Sequence, residues 1–197
     1  MPDMKSAVLS AAVLMMTWGG SAVEVTQTDP SKTTYGQLNP GAPKELEVFS
    51  FLIGKWWQGT GNARLPDGKV AEFSGVSWIG RYILDGTAIA DEGHAAYPDG
   101  RPCLGISFRQ YDAGRKTWIV EFLNVSESFL RKQVNGGSGS VEVDGGDVRV
   151  VTEGATASRE HYHVVDHDHW LYRMDLSTDG GGSWNEGQVE MTFRRLE

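Results

Sequence analysis

Six glycine turns cut most of this chain into strand-length pieces: Pro66-Asp67-Gly68, Asp85-Gly86, Pro98-Asp99-Gly100, Asp112-Ala113-Gly114, Asp144-Gly145-Gly146 and Asp179-Gly180-Gly181. Each supplies the positive φ that a tight hairpin demands, so each predicts a reversal between antiparallel neighbours. The runs between them include Lys69 to Ile79, Tyr82 to His94, Phe129 to Asn135, Ser140 to Asp144, Thr156 to Val165 and His169 to Ser177. With 25 glycines and 10% aromatics, the composition also favours short strands over long helices. The expected class is all-β. About ten antiparallel strands in up-and-down order favour a closed barrel, because closure leaves no exposed edge, and a two-sheet sandwich is the competing arrangement. A barrel of roughly eight to ten strands has an interior that side chains fill or that holds one small ligand.

Ahead of the strands, Lys5 precedes an apolar run from Ala7 to Met16, followed by Gly19, Gly20, Ser21 and Ala22. This reads as a secretory signal over residues 1–22, which predicts a periplasmic or secreted protein. The run is too short to span a bilayer, so no integral membrane segment is expected in the mature chain. Residues 23–43 are rich in Thr, Pro, Ser and Gly with little apolar periodicity, and predict a flexible arm. Pro43 can open a helix, and Leu46, Phe49 and Leu52 recur at helical spacing, which predicts a short helix over about 44–51. Residues 44–197 then form a single barrel domain.

A formal charge of -8 without clustered Lys and Arg excludes nucleic acid as a partner. The single Cys103 forms no internal disulfide and reads as a small buried apolar residue. The chain has no Gly-rich phosphate loop between strand and helix, no Gly-x-Ser-x-Gly elbow, no Cys-x-x-Cys and no His-Glu-x-x-His. Nucleotide, serine-hydrolase and zinc-protease chemistry are therefore not expected.

Four of the five histidines fall in the stretch His161 to His169, which reads as a β-hairpin. Alternation puts Arg159, His161 and His163 on one face of the first strand, and Trp170, Tyr172 and Met174 on one face of the second. An even-numbered loop around Asp166 and His167 would make these the same face. His161 and His163 could offer two nitrogens to a metal, but only with a third ligand such as His94, Asp91 or Glu92. The other readings are a pocket wall and a solvated face, and the pocket wall is the one the grouping favours. No metal and no cofactor are expected. Arg159, if inward, must be paired: it either anchors an acidic or phenolic ligand or forms an internal ion pair with Glu121, Glu153 or Glu160. Trp170, Tyr172, Trp118 and Phe122, with Trp56 and Trp78, supply aromatic area for a ligand or for a core. The tip around His94, Tyr97, Asp99 and Arg101 can rim the barrel mouth.

The motifs Phe51-Leu52-Ile53-Gly54-Lys55-Trp56, Tyr82-Ile83-Leu84-Asp85-Gly86, Arg109-Gln110-Tyr111-Asp112 with Trp118, and Ser177-Thr178-Asp179-Gly180-Gly181-Gly182-Ser183-Trp184 before Arg194-Arg195 together resemble the bacterial lipocalin-like proteins of the DUF1579 family. The resemblance covers residues 45–197 and implies a calycin-type barrel with a central pocket, exported, without an assigned activity. The opening Leu52-Ile53-Gly54-Lys55-Trp56 is also similar to nitrobindin-type haem barrels. That family places its iron-ligating His close to the C-terminus, whereas residues 183–197 contain no His.

Two functions fit these residues. In the first, an exported barrel, monomer or homodimer, holds a small, mostly apolar, aromatic molecule, with Arg159, His161, His163, Trp170, Tyr172, Trp118 and Phe122 as the binding set. In the second, His161, His163 and Arg159 move protons on such a molecule, as a cofactor-independent lyase, isomerase or hydratase.

Overall fold

The computed structural model describes residues 34–65, 67–124 and 133–196, with the backbone alone for 133–138. The expected signal over residues 1–22 and the first part of the expected arm lie outside the described residues.

Ten strands follow one another around a barrel: β1 (Trp57–Arg64), β2 (Val70–Ile83), β3 (Ala88–Ala96), β4 (Pro102–Asp112), β5 (Thr117–Asn124), β6 (Gln133–Asp144), β7 (Asp147–Thr152), β8 (Ala157–Asp166), β9 (His169–Ser177) and β10 (Asn185–Arg195). Each pairs antiparallel with its sequence neighbour, and β10 returns to β1 from Ala63↔Val189 to Trp57↔Arg195. No edge is left open, so the closed barrel and not the sandwich is the architecture. No helix among the described residues is long and apolar enough to cross a membrane.

Two strands run further than the turn residues predict. β2 continues to Ile83, with a register shift where Gly75 takes φ 61° and lets the strand bend without ending. β6 runs from Gln133 to Asp144 as one strand, not as two pieces on either side of Gly136 and Gly137. At its Gly139, a Cβ would stand 2.8 Å from the Val151 carbonyl oxygen, so glycine there serves close approach of neighbouring backbone rather than a turn.

The expected short helix is present at Lys44–Leu52, wound as a 3₁₀ helix. It turns Leu46, Phe49 and Leu52 inward, all fully buried, and stops one end of the barrel. Gly80 of β2 permits this docking: a Cβ there would meet the Leu52 carbonyl oxygen at 2.9 Å. The Gly54 N–H donates to the Gly80 carbonyl at 2.8 Å, fixing the exit of the plug. Residues 34–43 are not wholly a free arm. Asn39 is buried, donates to the Asp85 carbonyl at 3.1 Å and receives the Gly41 N–H at 2.8 Å, pinning this segment over the β2–β3 turn.

The β9–β10 turn is organised by one carboxylate. Asp179 accepts from the Ser183 N–H at 2.8 Å, the Ser183 hydroxyl at 2.7 Å and the Ser177 hydroxyl at 2.7 Å. These donors, the Ser183 N–H first, hold its pKa down from 3.8 to about 2. The stability it contributes is complete above the unfolded value and is lost as the pH falls through the folded one. Urea midpoints measured between pH 5 and pH 2 should therefore fall more steeply for the native chain than for Asp179→Asn; parallel curves would remove Asp179 from this role.

A cavity above a buried charge cluster

Inward residues differ sharply in size between the two ends of the barrel. At the plugged end, Trp57, Trp170, Phe193 and Tyr162 are fully buried and close on Phe49 and Phe51. Trp170 stacks on Phe193 with ring centroids 4.1 Å apart, and its ring meets those of Trp57 and Trp78 edge-on at 6.0 and 5.6 Å. At the other end, small residues face inward, Gly93 and Ala95 on β3 and Gly105 and Ser107 on β4, and a cavity of about 360 Å³ remains. Its apolar walls include Phe73, Val76, Trp78, Val120, Phe122, Tyr172, Met174 and Met191, and its polar lining includes Ser107, Thr152, Ser158 and Glu160. Cys103 also lines it, half-buried, and burial pushes its thiol pKa up while a bond with Tyr97 opposes this.

Four polar side chains form the boundary between cavity and plug. Arg109 on β4 is fully buried and ion-paired with the equally buried Asp91 on β3. Its Nη2 donates to the Tyr162 hydroxyl at 2.7 Å and lies 3.7 Å from Glu160 Oε2. A guanidinium can only donate, so the Tyr162 oxygen accepts from Arg109 and its own proton goes to Glu160 Oε2, 2.5 Å away. The Arg109 guanidinium also lies over the Phe49 ring at 4.9 Å, which ties the cluster to the plug. Burial drives the Tyr162 phenol pKa far up, Arg109 pulls it down and Glu160 pushes it up again. Tyr172, beside them, is raised first by burial and then by Glu160. Both phenols are neutral donors at physiological pH.

The expected wall of Arg159, His161 and His163 is corrected by the register. Val164 pairs with Trp170 and Tyr162 with Tyr172, with a shift between Val164 and Asp166. The bulge changes the parity of the hairpin, so the inner face carries Ser158, Glu160, Tyr162 and Val164, and Arg159, His161 and His163 stand on the outer face. Arg159 pairs outside with Asp175 at 3.1 Å and lies over the Trp184 ring at 4.1 Å, and its partner is none of Glu121, Glu153 or Glu160. His163 Nδ1 meets Asp147 at 2.5 Å on the half-exposed surface. Burial lowers the His161 pKa, Asp175 opposes this, and Arg149, Arg173 and Arg159 add to the lowering. Asp175 itself is pushed up by burial but brought below the usual carboxylate range by the Gly187 N–H and by Arg173 and Arg159. This outer network fastens β8, β9 and the start of β10 together. Arg159, His161 and His163 are therefore absent from the lining of the cavity, and His161 and His163 border a separate concavity on the outer face.

Of the expected aromatics, Tyr172 and Phe122 line the cavity. Trp170 lies below it in the stacked layer, and Trp118 packs on Phe49 at 5.5 Å and Tyr111 at 5.4 Å beside the plug. Tyr97 lines the cavity, and the Arg101 guanidinium covers its ring at 5.2 Å, whereas His94, alternating with inward Gly93 and Ala95, sets its ring against Trp56 at 6.1 Å. Arg109, Glu160 and Tyr162 were not expected at the site. Tyr162 and Val164 alternating with Arg159, His161 and His163 were the available signal, since the more apolar face of a strand turns inward. Among the described residues, no three His, Cys, Asp or Glu side chains converge as a metal site.

The chain matches no protein-family model and no curated protein. Among solved structures it is similar to the S-type phycobiliprotein lyase CPES from Guillardia theta, with a TM-score of 0.53 and 11% identity over 78% of this chain and 93% of that one. A redesigned β-barrel, mFAP1, bound to DFHBI, matches with a TM-score of 0.37 and 13% identity, over 77% of this chain and 99% of that one. The shared property is the antiparallel barrel.

Proposed function

We propose that this barrel binds one small, mostly apolar, aromatic molecule in the cavity opposite the plug. The observation that carries the reading is the cavity itself. Its volume of about 360 Å³ lies within the roughly 300–1,000 Å³ of small-molecule sites, and its lining surface is mainly apolar, with aromatic walls. Phe73, Trp78, Phe122 and Tyr172 offer ring faces and edges, while Met174 and Met191 adapt to shape. The polar end is read by Glu160, Tyr172 and Ser107 from inside the barrel. The apolar run Ala7 to Met16 supports a place of action outside the cytoplasm.

Native mass spectrometry of the purified full chain tests this. A small organic molecule that survives desolvation, and is lost on denaturation, is the expected result. A clean apo mass from several preparations would overturn tight constitutive binding.

A further inference from the structure

The charge cluster under the cavity does not balance. One guanidinium, Arg109, faces two carboxylates, Asp91 and Glu160, and Asp91 takes the closer ion pair, without contact to solvent. Glu160 lies farther from Arg109, is 8% exposed, and lines the cavity. Its Oε2 is occupied by the Tyr162 hydroxyl, while Oε1 accepts no hydrogen bond among the described residues. The hydroxyl of Tyr172, which also lines the cavity, has no hydrogen-bond partner among them either. Of the other basic groups of the lining, Arg64 is exposed, and His94 turns its ring outward, toward Trp56 at 6.1 Å and Glu92 at 3.6 Å.

A buried anion without a full counter-charge is costly, and the cost falls when a cation or strong donor enters beside it. The walls suit the same class of group. Trp78 and Tyr172 stand with ring centroids 5.5 Å apart, and Phe122 lines the same space. Ring faces attract a desolvated ammonium, and apolar walls hold the body that carries it.

We propose that the ligand of this cavity is an aromatic or otherwise apolar amine, whose protonated nitrogen is received by Glu160 and the rings of Trp78 and Tyr172. This rests on the reading of the cavity as a small-molecule site, and it reverses the polarity expected from an inward Arg159. An acidic ligand would meet a carboxylate of like charge, with Arg109 already engaged behind it.

Three probes on one naphthalene frame separate the two readings by calorimetry at pH 7: naphthalen-2-ylmethylammonium, 2-methylnaphthalene and 2-naphthoate. The ammonium should bind at least about tenfold more tightly than the neutral hydrocarbon, in line with a hydrogen bond to a charged group, and the naphthoate most weakly. In Glu160→Gln the advantage of the ammonium over 2-methylnaphthalene should vanish. Equal binding of all three, or tightest binding of the naphthoate, overturns the amine proposal and leaves the cavity reading standing. An ammonium preference that persists in Glu160→Gln overturns the role of Glu160. No binding of any probe overturns both readings. Should Glu160→Gln fail to fold, the order of the three probes on the native chain decides.

Discussion

Replacing Arg109 with Met is expected to destabilise the barrel by about 3–5 kcal/mol, the range for breaking a buried ion pair by removing one partner. The side chain is fully buried, and its loss strands Asp91 without a cation and without water. It also takes the donor from the Tyr162 oxygen and the guanidinium from the face of Phe49. Met restores apolar volume but no charge. The check is the midpoint of urea unfolding at constant m-value. Arg159→Met provides the contrast: its side chain is 30% exposed, and its buried partner Asp175 keeps Arg173 at 3.0 Å and the Gly187 N–H at 2.9 Å, so a clearly smaller cost than for Arg109→Met is expected. Adding Asp91→Leu to Arg109→Met should recover part of the loss, because the stranded carboxylate goes with its partner. Equal costs for the two single arginine variants would contradict the placement of the charge cluster.

Trp170→Ala should be of similar size, about 3–5 kcal/mol, for a different physical reason. The indole is stacked on Phe193 and touched by Phe51, Trp57, Trp78 and Tyr162. Truncation removes that burial and leaves a void where neighbouring rings, themselves held by strands and plug, cannot close in. The layer also forms the floor under Trp78 and Tyr172. Thermal unfolding and near-ultraviolet circular dichroism should therefore change together. A small loss of stability with unaltered aromatic signals would mean that the stacked layer is not the packing centre.

The barrel was legible because its turns are written in glycine and aspartate. Asp85-Gly86 and Asp144-Gly145 fall where the chain reverses, with Gly86 and Gly145 at φ 75° and 60°. The plug was legible in Leu46, Phe49 and Leu52. What misled was Gly136 and Gly137, which suggested a break, although glycine is also used where strands crowd. The site was less legible, and parity is the reason. One bulged residue between Val164 and Asp166 exchanges the two faces of β8, so correct grouping of Arg159, His161 and His163 still gave the wrong side. Nothing local marks Arg109 as buried: it follows Phe108 and precedes Gln110, and its burial depends on Asp91 from β3 and Glu160 and Tyr162 from β8. That convergence is a property of closure, not of any one segment.

The most direct test of the cavity as a binding site is a fluorescence titration of 2-methylnaphthalene against the native chain and Ser107→Phe. Ser107 faces the cavity from β4, and a phenyl ring there would occupy the space while extending into a void rather than into packed core. Saturable binding to the native chain is predicted, weakened at least about tenfold by the substitution, which corresponds to about 1.4 kcal/mol. Thermal stability should be nearly unchanged. Equal affinity in the two proteins, or no saturable binding to either, would contradict the account.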